Sequence, residues 1–241
     1  MLDVIKRACL HPISYSGYLR STQLQFKEKI QESENVYSFI FTAEKLPGWK
    51  AGQHAVFSFP KSEIEGKCWR PFSVASAPHE NEIRIGTNIP EQPSSFKQKL
   101  MGLTAGDTIL MQGPFGEFYA KTNIKHIIGI AGGIGITPFR SIASDLTSKQ
   151  NATKLTLIYS AQKNYTYQSE LESWKEQNPN IQIIYTHTPE EVNTELERQV
   201  AKYGNNSHYF IAGPPGMISA LRKYLTESGI RNITNDPFKG Y

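Results

Sequence analysis

Two glycine-rich turns are the segments of this sequence best suited to bind a phosphate group. The first, Ala131-Gly132-Gly133-Ile134-Gly135-Ile136-Thr137-Pro138, follows an apolar segment and opens a segment of helical apolar spacing. Its glycines would let the backbone approach a pyrophosphate at a helix N-terminus, which Thr137 can cap and Pro138 can enter without losing a hydrogen bond. Because Pro138 stands where G-x-G-x-x-G requires a final glycine, this is not the usual dinucleotide fingerprint, and a simple packing turn is the alternative.

The second turn, Ala212-Gly213-Pro214-Pro215-Gly216-Met217, also follows an apolar segment and precedes helical spacing. In doubly wound sheets, ligands bind beyond the carboxyl ends of the strands, on either side of the point where the strand order reverses. Two glycine turns at such ends predict one ligand between them. By itself, the second turn would indicate only a loop.

The first half of the chain carries two further motifs, Arg70-Pro71-Phe72-Ser73 and Gly113-Pro114-Phe115-Gly116-Glu117-Phe118. The first is similar to the Arg-x-Tyr/Phe-Ser flavin motif of the ferredoxin–NADP reductase superfamily. The second resembles the Gly-Pro-x-Gly-x-Phe that ends the flavin barrel of that superfamily. The two glycine turns resemble its nicotinamide-nucleotide loop and its last motif. All four motifs stand in the family's order, and the resemblance covers roughly residues 22–241.

The resemblance implies FAD as a cofactor, and Gly116 favours the FAD-using branch over the FMN-using branch. An arginine fork binds phosphate at two points, which suits Arg70 for the flavin pyrophosphate, with a surface ion pair as the alternative. Phe72 would lie along the flavin and Ser73 would hydrogen-bond its N5, unless both simply alternate in and out of a core. The resemblance assigns FAD binding to Arg70, Pro71, Phe72, Ser73, Ile85, Thr87, Ser94, Ser95, Gly113, Gly116 and Tyr241.

The same resemblance implies NADP or NAD as the second cofactor. In Ser160-Ala161-Gln162-Lys163, Gln162 replaces the arginine that relatives often use for the 2′-phosphate of NADPH, although Lys163 could substitute as a point charge. The same strand end has no Asp or Glu to accept the ribose hydroxyls of NADH, so the coenzyme choice stays open. Nicotinamide-nucleotide binding is expected at Gly132, Gly133, Gly135, Thr137, Pro138, Ser160, Lys163, Gly213, Pro214 and Met217.

Ser73 and the C-terminal residue are the two side chains expected to act in catalysis. Some relatives end on an aromatic ring that stacks on the flavin, and Gly240-Tyr241 is similar to such an end. Tyr241 would then cover the flavin face on which the nicotinamide must land. A frayed terminus is the alternative. Ala212 stands where many relatives have a cysteine, so no thiol is expected near the nicotinamide.

Short segments of β-strand character make up the first half, which indicates a barrel or a sandwich. The predicted strands are Leu24–Ile30, Val36–Thr42, His54–Phe59, Ile83–Ile89 and Thr108–Met111. One predicted helix interrupts them. Ser94 or Ser95 can cap this helix, and Phe96, Leu100 and Leu103 lie on one of its faces.

The apolar pattern changes near residue 124, where buried strands begin to alternate with helical faces. The predicted parallel strands are Ile127–Ala131, Leu155–Tyr159, Ile181–Tyr185 and Tyr209–Ala212. The expected fold class is therefore a Greek-key antiparallel β-barrel followed by a doubly wound parallel-sheet domain. The polar stretch Lys121–Lys125 marks the boundary. The expected division is an N-terminal extension over 1–20, an FAD-binding barrel over 21–121 and an NAD(P)-binding domain over 125–241.

Composition excludes several classes of protein. The 241 residues are 39% hydrophobic and 20% charged, which is typical of a globular chain. No apolar run reaches the ~18 residues of a membrane span, and the start lacks the apolar core of a secretory signal, so a cytoplasmic location is expected. A net charge of +4 without a basic run argues against nucleic acid as a partner. Two cysteines are too few for a plant-type iron–sulfur centre, and the six histidines lack metal-ligand spacing.

Together, the motifs and their resemblance predict an FAD-dependent NAD(P)H oxidoreductase. A hydride would pass between nicotinamide C4 and flavin N5 in a cleft between the domains, without a protein general base. The electrons would go to, or come from, a separate protein such as ferredoxin or flavodoxin. Two alternatives stay open: a reductase component that serves a separate oxygenase or haem protein, and a non-catalytic flavin- or nucleotide-binding module that regulates a partner.

Overall fold

The computed structural model describes residues 16–236 of the chain. They divide into two compact units, one up to Glu117 and one from Phe118. This division falls a few residues before the polar stretch Lys121–Lys125 that the sequence offers as a boundary. Most of the N-terminal extension and Tyr241 lie outside the described residues, so the flavin-stacking role expected of Tyr241 stays a prediction.

The first unit is an antiparallel sheet of six strands in the order β4-β3-β6-β1-β2-β5. The backbone N–H of Ala75, just past β4, donates to the carbonyl of Arg84 in β5 at 2.7 Å, so the sheet curls until its two edges approach. The predicted antiparallel barrel is confirmed in this curled sheet. Its elements are β1 (Ser21–Ser33), β2 (Val36–Thr42), β3 (His54–Ser58), β4 (Trp69–Ser73), β5 (Ile83–Asn88), α1 (Ser95–Met101) and β6 (Thr108–Phe115).

Aromatic side chains fill the core of the first unit. Phe39 and Phe41 of β2 are fully buried on the same face, because successive side chains of a strand face opposite sides. Phe26 of β1 packs edge-on against Phe41, with 5.6 Å between the ring centroids. Phe96 of α1 contributes a ring 5.1 Å from that of Phe59. The helix is therefore anchored to the sheet by its apolar face.

The helix α1 is shorter than the sequence predicts. It ends at Met101, so Phe96 and Leu100 lie on its buried face and Leu103 is buried beyond its end. Ser94 occupies the N-cap position, but its side chain makes no capping hydrogen bond. The predicted face is thus correct for two of its three residues.

The second unit is a parallel sheet of five strands in the order β11-β10-β7-β8-β9. The chain builds β7, β8 and β9 in one direction and then returns to the other side of β7 for β10 and β11. The strand order therefore reverses between β7 and β10, and the predicted doubly wound sheet is confirmed. The elements are β7 (His126–Gly132), α2 (Thr137–Ser148), β8 (Lys154–Ser160), α3 (Gln168–Gln177), β9 (Ile181–Thr186), α4 (Pro189–Tyr203), β10 (His208–Ala212), α5 (Pro215–Glu227) and β11 (Ile233–Asn235).

An ion pair between a buried arginine and a half-buried glutamate joins α2 to α3. The Arg140 side chain is only 3% exposed, and its Nε donates to a carboxylate oxygen of Glu170 at 2.9 Å. The guanidinium also lies over the rings of Tyr167 and Trp174, at 5.5 and 5.3 Å from their centroids. A buried cation is stable only with such a partner. The pair therefore fixes α2, the helix that follows the first glycine turn.

Candidate functional site

The two glycine turns meet where the strand order reverses, between β7 and β10. A Cβ atom on Gly135 would lie 2.3 Å from the carbonyl oxygen of Ala212, and one on Gly213 would lie 3.1 Å from the backbone nitrogen of Gly132. Both distances are shorter than ordinary contacts, so the backbones approach this closely only because the residues are glycines. The structure brings together the two turns that the sequence predicts to share one ligand.

Side chains from the start of α5 cover the first turn. A Cβ atom on Gly132 would lie 2.4 Å from Sδ of Met217 and 3.0 Å from Cδ of Pro214. The second turn is therefore packed directly on the first. Gly132, Gly213, Pro214 and Met217, all predicted to bind the nicotinamide nucleotide, form one packed group.

Other glycines of the same turns face open space. Within the described chain, no heavy atom outside the adjoining residues and the local helix backbone lies within 4 Å of a Cβ position built on Gly133 or on Gly216. Gly133 has a φ of +52°, in the left-handed region that favours glycine. A ligand can approach the backbone here without displacing a side chain. This is the room that a pyrophosphate needs beside a helix N-terminus.

The start of α2 differs from the prediction. The helix begins at Thr137 itself, with Ile136 in the N-cap position and no side chain as its cap. The Thr137 hydroxyl instead donates to the carbonyl of Ile134, because a 3₁₀ turn over Gly133–Ile136 precedes the helix. The prediction that Thr137 caps the helix is wrong, whereas Pro138 lies in the first turn as expected. The first-turn N–H groups are therefore not used by a side-chain cap.

A cluster of aromatic residues follows the segment Ser160–Lys163, where β8 and β9 end. The Tyr165 ring lies 4.5 Å from that of Tyr185, and the Tyr165 hydroxyl donates to the carbonyl of Thr186 at 2.9 Å. Burial, and then the nearby Glu191 carboxylate, raise the pKa of Tyr165, so its hydroxyl stays protonated at neutral pH. Sequence reasoning missed this group because its members come from two strands. The only local signal is the aromatic spacing of Tyr165 and Tyr167.

Positive charges gather at the start of β4 in the first unit. Arg70 is half-buried, and its Nη1 donates to the carbonyls of Lys67 and Trp69, both at 2.9 Å. Its guanidinium lies 5.6 Å from the centroid of the Phe96 ring. Burial and then the Arg70 charge lower the pKa of Lys67 and the pKa of Lys97. Three cations in one place form an electrostatic environment suited to a phosphate-bearing ligand.

Ser73 and Phe72 lie at the end of β4. Ser73 is 7% exposed and is the cross-strand partner of His54 in β3. The half-buried Phe72 packs against the core, with its ring centroid 5.8 Å from that of Phe57. Pro71 pairs with Val56 in the same ladder. The motif is therefore part of β4, and each of its residues pairs with a residue of β3.

The predicted flavin contacts on β5 and α1 lie in different surroundings. The Ile85 side chain is fully buried in the core, so it can meet a ligand only through its backbone. The buried Thr87 hydroxyl donates to the carbonyl of Asn88 at 3.3 Å. The Ser95 hydroxyl donates to the carbonyl of Glu65. Ser94 has no capping bond, as described above.

The turn after β6 packs tightly on β3. Gly116 has a φ of +104°, and a Cβ atom there would lie 2.5 Å from the His54 ring. Gln53 donates from its side-chain amide to the carbonyl of Gly116 at 3.0 Å. Gly113 has a φ of +124° and lies against Ala55. Both glycines of the motif are thus required by backbone conformation and packing.

Residues 16–236 contain neither a metal-binding cluster nor a membrane-spanning helix. In that range, His, Cys, Asp and Glu side chains form no group of three that could hold a metal ion. Nor does any helix in that range have the length and apolar character to cross a membrane.

Comparison with known families supports the second unit most directly. Residues 130–223 match the family described as the oxidoreductase NAD-binding domain. The chain is 29% identical over 207 residues to one subunit of the Na(+)-translocating NADH-quinone reductase of Haemophilus influenzae, covering 74% of this chain and 50% of the relative. The corresponding subunit of Methylococcus capsulatus is 28% identical over 211 residues, covering 75% and 51%. The chain spans about half the length of the curated relatives it matches.

Solved structures share the fold of this chain. The cytochrome b5 reductase domain of Ulva prolifera nitrate reductase has a TM-score of 0.75 at 23% identity, covering 91% of this chain and 98% of that one. A ferredoxin NADP+ reductase from Neisseria gonorrhoeae, with bound FAD and NADP, has a TM-score of 0.73 at 20% identity, covering 90% and 98%.

These solved structures confirm the predicted two-part fold class, and the ferredoxin NADP+ reductase among them shares the fold that the predicted resemblance implies. The match of residues 130–223 to the oxidoreductase NAD-binding family agrees with the predicted class of NAD(P)H oxidoreductase. The predicted cofactors, FAD with NADP or NAD, agree with the family description and with the ligands of the Neisseria structure.

Proposed function

We propose that this chain, which has the fold and motifs of the ferredoxin–NADP reductase superfamily, uses FAD to pass electrons between NAD(P)H and a separate protein such as ferredoxin or flavodoxin. In this proposal, residues 21–121 bind FAD and residues 125–241 bind the nicotinamide nucleotide. The observation that carries it is the meeting of two glycine turns where the strand order reverses. These turns lie in the segment that matches the oxidoreductase NAD-binding family.

The residues of the first unit suit FAD. Arg70, with Lys67 and Lys97 nearby, would neutralise the charge of the flavin pyrophosphate. The buried hydroxyl of Ser73 would donate a hydrogen bond to flavin N5 and so orient the ring, and Phe72 would lie along it. When bound, FAD supplies the group that accepts the hydride of the nicotinamide and passes electrons onward.

The residues of the second unit suit the pyrophosphate of a nicotinamide nucleotide. Backbone N–H groups of the first glycine turn would bind it, because the 3₁₀ turn Gly133–Ile136 leads directly into α2 and no side chain caps either segment. Gly133 and Gly216 leave space for the ligand, while Gly132 and Gly213 hold the two turns together. The protein orients the reacting groups by these contacts, and hydride donation requires no protein general base.

Two observations bear on the coenzyme. The names of the curated relatives specify NADH, which makes NADH a proposed electron donor here as well. Lys163 is exposed in the loop after β8, where its charge would favour the 2′-phosphate of NADPH.

A separate protein is the proposed electron acceptor. The curated relatives belong to a quinone reductase of several subunits, which supports a role in passing electrons to another protein. Two alternatives stay predictions: that the chain reduces a separate oxygenase or haem protein, and that it is a non-catalytic module that regulates a partner. The cytoplasmic location also stays a prediction.

The direct test is turnover by the purified chain. Supplied with FAD, the protein should retain one FAD per chain and oxidise NADH or NADPH steadily with ferricyanide as the artificial acceptor. A chain that binds both cofactors without turnover would support the regulatory module. A chain that binds FMN in preference to FAD, or no flavin at all, would contradict the proposal.

A further inference from the structure

One face of the antiparallel sheet carries no charged side chain over the four neighbouring strands β4, β3, β6 and β1. Because successive side chains of a strand face opposite sides, the residues that alternate with the buried core positions share this outer face. The ladders align them in rows, with Trp69 beside Ser58 and Ser58 beside Leu110. This uncharged face consists of Pro71, Val56, Gln112 and Ser21 in one row, Trp69, Ser58, Leu110 and Gln23 in the next, and the pair Thr108 and Gln25.

Large apolar side chains protrude from the uncharged face. Trp69 is 43% exposed and Leu110 is 44% exposed. Leu19, two residues before β1, is 89% exposed. In the part of the chain that the structure describes, these three and Ile30 are the exposed large apolar side chains, so three of the four lie on or beside one surface. Exposed apolar side chains that gather on one surface indicate an interaction site.

Strand β1 changes character where it leaves the uncharged face. Over Ser21–Gln25 it pairs with β6, and its outward residues are serine and glutamine. Beyond Gln25 it continues along β2 only, and there it carries Lys27, Glu28, Lys29 and Glu32. Lysine and glutamate are the usual residues of a strand surface that faces water. The lack of charge is therefore confined to the part of the sheet that holds Trp69 and Leu110.

Positive charge lies at two sides of the uncharged face. On the β4 side, Lys67 Nζ lies over the Trp69 ring, 3.8 Å from its centroid. On the β1 side, the exposed Arg20 directly precedes the strand. The carboxylate next to the face on β6 is that of Asp107, and it accepts hydrogen bonds from the N–H and the hydroxyl of Thr104, at 2.7 and 2.9 Å. The rim therefore favours an anionic partner.

We propose that the uncharged face is a peripheral contact surface for an anionic lipid bilayer, with Trp69 and Leu110 inserted among the headgroups. Tryptophan rings sit at headgroup level in bilayers, and a lysine beside such a ring reaches the lipid phosphates. Lys67 and Arg20 would supply this attraction to acidic lipids.

The spacing of the protruding side chains favours lipid over a protein partner. Trp69 and Leu110 are separated by the strand that carries Ser58. A protein would need a separate pocket for each of them, whereas lipid headgroups rearrange around both. The serine and glutamine side chains of the face can hydrogen-bond to headgroups, which suits this shallow depth and not the hydrocarbon. This inference does not depend on the proposed oxidoreductase function.

The first test is co-sedimentation of the FAD-loaded protein with vesicles of phosphatidylcholine that contain about 30% phosphatidylglycerol. The natural protein should bind these vesicles, and it should bind vesicles of phosphatidylcholine alone more weakly. Trp69→Ser and Leu110→Ser should each lower the partition coefficient about fivefold to tenfold, because each variant loses an inserted apolar side chain. The matched control is Ile30→Ser, which removes an exposed apolar side chain from the charged half of β1 and should leave binding unchanged.

The second test identifies the side chain that enters the bilayer. Lipids brominated near the headgroup quench the fluorescence of an indole ring that lies at that depth. The emission of the vesicle-bound natural protein should fall when brominated lipid replaces ordinary lipid. In Trp69→Phe the phenylalanine ring should keep the protein bound, and the quenching should disappear. Trp49 and Trp174 are present in both proteins and serve as internal references.

Four results would overturn the inference. The first is no binding to the anionic vesicles. The second is binding without quenching, which would mean adsorption through surface charge alone. The third is equal binding by Trp69→Ser, Leu110→Ser and Ile30→Ser, which would place the contact elsewhere. The fourth is a dimer, seen by sedimentation velocity without lipid, that Leu110→Ser converts to a monomer, because the face would then bind a second copy of the chain.

Discussion

The two units build their candidate sites from different parts of the chain. In the second unit, backbone atoms form the candidate site. Gly135 and Gly213 let the two turns pack against each other, and Gly133 leaves space for a ligand. In the first unit, side chains form the candidate site. They are Arg70 and Ser73 on β4, together with the cations Lys67 and Lys97. A backbone site tolerates no Cβ atom where turns meet, whereas a side-chain site can lose one group and keep its fold. Substitutions should therefore affect folding in one unit and ligand binding in the other.

The largest effect is expected from Gly135→Val in the second unit. Its Cβ would lie 2.3 Å from the carbonyl oxygen of Ala212, and backbone cannot move aside as a flexible side chain can. The free energy of unfolding should fall by more than about 4 kcal/mol. The matched control is Gly216→Val, which faces open space within the described chain. Equal denaturant midpoints for the two variants would show that the turns do not need this close approach.

The next largest effect is expected from Ser73→Ala in the first unit. A positioned donor contributes about 2 to 4 kcal/mol to a reaction step, so hydride transfer to bound FAD should slow accordingly while the fold is retained. Stopped-flow reduction of the FAD-loaded variant measures this, with the exposed Ser62→Ala as control. A natural reduction rate in Ser73→Ala, with FAD fully bound, would remove Ser73 from the site.

A smaller effect is expected from Arg70→Leu. Loss of a charge-assisted bond should weaken FAD binding by about 1.5 to 3 kcal/mol, as measured by titration of flavin fluorescence. Lys99→Met is the matched control, because Lys99 lies on α1 and is paired with Glu63 at 2.8 Å. Similar losses in both variants would mean that general positive charge, and not the arginine fork, holds the ligand.

The sequence predicts the second unit better than the first because the second site is local. The run Gly132–Pro138 and the run Gly213–Met217 each appear as one segment, and apolar strands before them predict where they meet. Their details depend on packing, so the 3₁₀ turn that displaces Thr137 from the cap position could not be foreseen.

Contacts between residues that are far apart in the chain could not be predicted from the sequence. Lys67 and Lys97 are 30 residues apart and meet near Arg70 only through the curl of the sheet. His187 reaches the loop after β8 because parallel strands place their carboxyl ends at one edge. The end of β8 carries no Asp or Glu of its own, and the carboxylate near its loop is Glu191 of α4. Sequence inspection of β8 alone could not predict that charge.

The smallest effect is expected at the amino end of β7, in the parallel sheet. His126 is buried, with its ring nitrogens 3.0 Å from Thr156 Oγ1 and 2.9 Å from Ser207 Oγ. Burial, and then the charges of Lys154 and Lys202, lower the pKa of His126 below its usual 6.5. The unfolded chain thus binds a proton more readily, so stability should fall as the pH drops below 6.5.

The measurement for His126 is the free energy of unfolding against pH. In His126→Gln, the loss of stability between about pH 7.5 and pH 5.5 should be smaller than in the natural protein, because glutamine does not titrate. Carboxylates contribute equally to both curves. Parallel curves would show that His126 has the same proton affinity in the folded and unfolded chain.

The most direct test of hydride transfer is anaerobic stopped-flow mixing of the FAD-loaded protein with NADH or NADPH. The two units together should bleach the flavin absorbance in a single turnover, and deuterium at nicotinamide C4 should slow that phase because the C–H bond breaks in it. Unchanged flavin absorbance with either coenzyme, in protein that retains FAD, would contradict hydride transfer as the function of this chain.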